Sequence, residues 1–179
     1  MRLNDLNDLI RAGFFDDASS SDQPVRDLEQ IIENENEQQL LLRSANSFEP
    51  LLYVFIAKSL RTLKKKDPLS EFLLLVAEQT VGFRKCLIGI GALFLGNEHG
   101  FQTATEGIKE EADPVYKELA QGYLIEALAA IHNNMTLTML QSLISQSELH
   151  IQTSSLALSI LKKWTILEPD DYFRRLSDQ

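Results

Sequence analysis

Along this chain apolar residues recur at three- and four-residue intervals in one segment after another, the spacing of helices that bury one face. The most apolar stretch is 68–96, PLSEFLLLVAEQTVGFRKCLIGIGALFLG. Its two apolar runs, 72–77 and 86–96, are separated by Glu78, Gln79, Arg84 and Lys85. Each falls short of the roughly 20 residues that a membrane-spanning helix needs. The pattern predicts two antiparallel helices, 69–79 and 83–95, broken at Thr80, Val81 and Gly82 and stopped by Gly96 and Asn97. The second is apolar on nearly every side, as expected of a helix with neighbours all round. Gly89 and Gly91 each cost it about 1 kcal/mol of propensity relative to alanine, and close approach of a neighbouring backbone is the compensation they predict.

The remaining segments read in the same way. Leu3, Leu6, Leu9 and Ile10 predict a short amphipathic helix closed by Gly13 and anchored by Phe14 and Phe15, followed by a polar loop over 16–23. Pro24 opens a helix carrying Val25, Leu28, Ile31 and Ile32, which meets an acidic interruption at 33–37 and continues to Arg43. Ser47 is placed to cap a helix starting at Phe48, with Leu51, Leu52, Phe55, Ile56, Leu60 and Leu63 on its apolar face and Lys64, Lys65 and Lys66 at its end. Residues 97–107 are glycine-rich and read as irregular, and 108–112 as an acidic connection. Asp113 and Pro114 then start a helix over 115–132 with Tyr116, Leu119, Ala120, Tyr123, Leu124, Ala127, Leu128 and Ile131 facing inward. Asn133 and Asn134 stop it. A shorter helix holds Leu137, Leu140, Leu143 and Ile144, and a longer one, 152–165, holds Leu156, Ile160, Leu161 and Trp164. No stretch longer than four residues alternates with period two, so the expected class is all-α. At 179 residues one domain is expected, with an N-terminal helix and loop (1–23), a helical core (24–167) and a C-terminal tail (168–179).

The long helices align on Leu60, Leu93, Leu128 and Leu161, at intervals of 33, 35 and 33 residues, with Ala57, Ile90, Ile125 and Leu158 three positions earlier. A period of this size is that of arrays of helical pairs. Windows 71–97 and 137–164 each contain an apolar helix, a short polar turn and a longer helix with small residues among its leucines. In this form they resemble armadillo or HEAT repeats. The resemblance implies a curved stack of antiparallel helix pairs whose grooved face binds other proteins or peptides. A compact multi-helix bundle is the alternative.

Charge narrows the partner. The net charge is −9, and residues 67–134 hold 4 Lys or Arg against 10 Asp or Glu. A protein partner, basic if it meets this acidic middle, is therefore expected, and neither nucleic acid nor an anionic membrane. Glu106, Glu110, Glu111 and Glu118 are the candidate contacts there. Trp164, with Tyr172 and Phe173 of the tail, is the candidate apolar anchor, since tryptophan is enriched at interfaces. A second copy of the chain is another partner the tail would suit. Cys86, the single cysteine, lies within the apolar run and reads as a small buried hydrophobe in a reducing compartment, so a cytoplasmic protein is expected.

Catalytic patterns are sparse. The glycines at 89, 91 and 96 miss the spacing of a dinucleotide loop, Phe94 standing where a third glycine is needed. His99, His132 and His150 lack any metal-binding spacing, and neither cofactor nor metal is expected. The leading expectation is a non-catalytic adaptor that uses a groove between helices. Two alternatives stand beside it: an acidic inhibitor, immunity or chaperone protein that masks a basic surface, and an enzyme or ligand carrier with a pocket near Gly89, Gly91 and His99.

Overall fold

The computed structural model describes residues 3–11, 34–60, 67–145 and 149–167. The expectations for Gly13, Phe14 and Phe15, for the 16–23 loop, for the helix opening at Pro24, for Lys64 to Lys66 and for the tail lie outside the described residues. Among the described residues every regular element is an α-helix. In order they are α1 (Leu3–Arg11), α2 (Glu35–Arg43), α3 (Leu51–Leu60), α4 (Asp67–Ala77), α5 (Gly82–Phe94), α6 (His99–Glu110), α7 (Pro114–Ile131), α8 (Asn134–Ser145) and α9 (Ile151–Leu167). The all-α expectation holds. The chain divides into two compact units, Met1–Ala120 and Gln121–Gln179.

In the first unit α5 is the central element, packed against α6, α4 and α3. Ten of its thirteen residues are buried, among them Cys86, Leu87, Ile88, Ile90 and Leu93. Its contact with α6 is made by backbone. A Cβ added at Gly89 would lie 2.7 Å from both the Gly100 carbonyl oxygen and the Ala104 nitrogen. One at Gly107 would lie 2.5 Å from the Cys86 nitrogen and 2.6 Å from the Gly82 carbonyl oxygen. Gly82, Cys86 and Gly89 thus face Gly107, Ala104 and Gly100 along an antiparallel seam. On another side of α5, a Cβ at Gly91 would meet the Tyr53 carbonyl oxygen of α3 at 3.1 Å. The close backbone approach predicted for Gly89 and Gly91 is found at both.

This seam corrects the reading of 97–107 as irregular. Gly100 and Gly107 sit inside α6, where they let it come against α5, and their low helix propensity is offset by that packing. His99, read as a loop residue, is the first residue of α6, exposed, with its N–H bonded to Asn97 Oδ1 at 3.1 Å.

The connections follow capping chemistry. Gly96, at φ +88°, ends α5: its N–H bonds to the Leu93 carbonyl and that of Asn97 to the Ala92 carbonyl, a complete Schellman motif. Asn97 Nδ2 then donates to Ser70 Oγ of α4 at 3.2 Å. The acidic run at 33–37 turns out to hold a helix start, since the Asn34 side chain accepts from the Asn36 N–H and caps α2. The helix expected from Phe48 begins three residues later, at Leu51, and just before it the Glu49 N–H bonds to Asn7 Oδ1 of α1 at 2.7 Å. Leu6, next to the acceptor Asn7 on α1, is buried, as the α1 pattern requires. Tyr53, wholly buried, donates its hydroxyl to the Leu41 carbonyl at 3.0 Å.

In the second unit His132, at φ +47°, ends α7. Asn133 and Thr136 form a reciprocal cap for α8, each N–H bonding the other side chain at 2.9 Å. The buried Gln121 Oε1 accepts from the His150 N–H and from Thr153 Oγ1, both at 3.0 Å, which fixes the start of α9. Leu93, Leu128 and Leu161 of the 33-to-35-residue register are buried, as are Ala57, Ile90 and Ile125, but Leu158 is exposed.

The seam yields a stability prediction. Gly100→Ala should lower stability by about 2–3 kcal/mol, because rigid backbone rather than a side-chain tip stands where the methyl would go. Urea unfolding checks it: the midpoint should fall with the slope unchanged.

Candidate protein-binding face

The helix α7 runs PVYKELAQGYLIEALAAI and is apolar around most of its circumference. Ala120, Gln121, Leu124, Ile125, Ala127 and Leu128 are buried and define its inner side. The opposite side carries Val115, Tyr116, Leu119 and Tyr123, exposed to 64%, 50%, 46% and 36%. This overturns the inward placement of Tyr116, Leu119 and Tyr123. A helix of 3.6 residues per turn cannot bury two opposed apolar sides without a neighbour on each.

The outer side has a defined shape. Tyr116 packs against Phe83 with ring centroids 5.4 Å apart, which steadies its ring at one edge. A Cβ added at Gly122, further along α7, would meet nothing within 4 Å among the described residues. Asp113 Oδ1 accepts the Val115 N–H at 2.8 Å and so caps the helix with a carboxylate at the head of the face. Glu126, in the second unit, is exposed. Lys117, the only cation of α7, is half-buried on the opposite side.

The acidic residues singled out from sequence have internal partners. Lys85 Nζ lies 2.9 Å from Glu110 and 3.3 Å from Glu106, joining α5 to α6. Burial alone would lower the Lys85 pKa, but hydrogen bonds and charge from Glu110 and Glu106 outweigh it and raise the value. Glu111 Oε2 accepts the Phe83 N–H at 2.8 Å and so caps the start of α5, while its Oε1 accepts from the Asp113 N–H at 3.0 Å. Gly82, at φ +62°, makes room for that carboxylate, since a Cβ would lie 2.6 Å from Oε2. Glu118 is half-buried on α7. Trp164 is half-buried and stacks on His132 at 4.7 Å, an arrangement no spacing rule would suggest. Tyr172 and Phe173 lie outside the described residues. Arg84 donates to the carbonyls of Ala45 and Phe48, so the Arg84–Lys85 pair is engaged within the fold.

Cys86 is fully buried, its thiol directed at the Ala120 carbonyl at 3.7 Å, and burial pushes its pKa up. The space beside Gly89 and Gly91 is filled by the backbone of α6 and α3. Among the described residues no helix is long and apolar enough to cross a membrane, and no three His, Cys, Asp or Glu side chains converge as metal ligands do. Comparison with protein-family models, curated proteins and solved structures finds no match to this chain. The outer side of α7 is therefore the candidate site on physical grounds alone.

Two measurements follow. Glu111→Ala should cost about 1 kcal/mol of stability through loss of the α5 cap, and Glu111→Gln, which keeps an acceptor, clearly less; denaturant titration of both separates cap from bulk. For Cys86, the unfolded thiol ionises above its ordinary 9.0 while the folded one keeps its proton. Unfolding then releases a proton, so stability falls as pH rises past 9.0, by up to about 1.4 kcal/mol per pH unit. Cys86→Ala should lose that part of the slope between pH 9 and 10.

Proposed function

We propose that this chain is a non-catalytic protein-interaction module that docks a partner on the outer side of α7. The observation that carries the reading is the run of Val115, Tyr116 and Leu119, exposed along the first turns of α7 within the first unit. Single exposed leucines are ordinary on any protein. Aligned large apolar residues that include a tyrosine are the composition of an interface centre. The antiparallel succession of α4, α5 and α6 supports a short stack of helix pairs as the frame, with a compact bundle as the alternative. The buried thiol fits a reducing compartment, which makes the cytoplasm the proposed setting.

Val115, Tyr116 and Leu119 replace the helix groove and the acidic cluster as the proposed contact. Glu106, Glu110 and Glu111 already hold α5 and α6 together, and a partner competing for them would loosen the fold that presents the face. Leu119 makes the test because its side chain is nearly half exposed, and its replacement leaves the core intact.

Immobilised wild-type and Leu119→Lys chains, exposed to one lysate of the source cells, should differ in a defined way. A protein enriched on the wild type should fall at least about tenfold on the variant, while thermal unfolding of the two chains agrees within a few degrees. Equal enrichment on both, or none on either, overturns the reading.

A further inference from the structure

We draw no further inference here: the strongest candidate, the exposed apolar patch of Val115, Tyr116 and Leu119 on the first turns of α7, belongs to the site already described, and nothing in the structure shows what covers it.

Discussion

The contact on which the first unit depends is backbone against backbone, at Gly89 on Gly100 and Ala104 and at Gly107 on Gly82 and Cys86. Helices ordinarily meet through interlocking side chains, which hold their axes apart. Here four glycines remove that spacer, and dispersion between the two helix backbones replaces it over the length of the seam. Such contact tolerates no added atom, because what a methyl would strike is the peptide chain and not a rotatable side-chain end. The antiparallel order of α5 and α6 is fixed by the same geometry, since only one register brings 82, 86 and 89 opposite 107, 104 and 100.

The polar chemistry around the seam is a consequence of that closeness. With α6 drawn in, Lys85 is left mostly covered and would be costly to keep charged without Glu106 and Glu110 within reach. Glu111, at the end of α6, arrives beside the first turn of α5 and supplies an acceptor to an N–H that the helix itself leaves unpaired. The left-handed backbone at Gly82 is what lets the carboxylate enter. Asp113 follows two residues later and starts α7. The placement of the outer face thus begins with a glycine contact on the far side of α6.

Most helices were legible because their apolar spacing is local and their ends carry recognisable caps, as at Asp113, Asn133 and Gly96. The need of Gly89 and Gly91 for a close neighbour was legible for the same reason. The missed helix, α6, has glycines at 100 and 107 and few apolar residues, and local propensity cannot distinguish a glycine that frees a loop from one that admits a neighbour. The signal was present across two segments: small residues at 82, 86 and 89 mirror those at 100, 104 and 107 at the same offsets, reversed in order. For α7 the limit is different. Periodicity tells which residues are apolar but not which side has something to lie against, so Tyr116 and Leu119 read as core. The partners of the acidic cluster were not legible for another reason, because Lys85 and the start of α5 reach it only through tertiary contact.

The two sides of α7 pose a question that stability alone does not answer. Leu124, Ile125 and Leu128 contribute by leaving water when the chain folds. Val115, Tyr116 and Leu119 stay largely in water in both states and contribute little to folding. Gly122, in the second unit, lowers helix stability, and a Cβ in its place would meet nothing within 4 Å among the described residues. The seam between α5 and α6 shows the opposite case, glycines whose cost to the helix is offset by a backbone lying where their side chains would be.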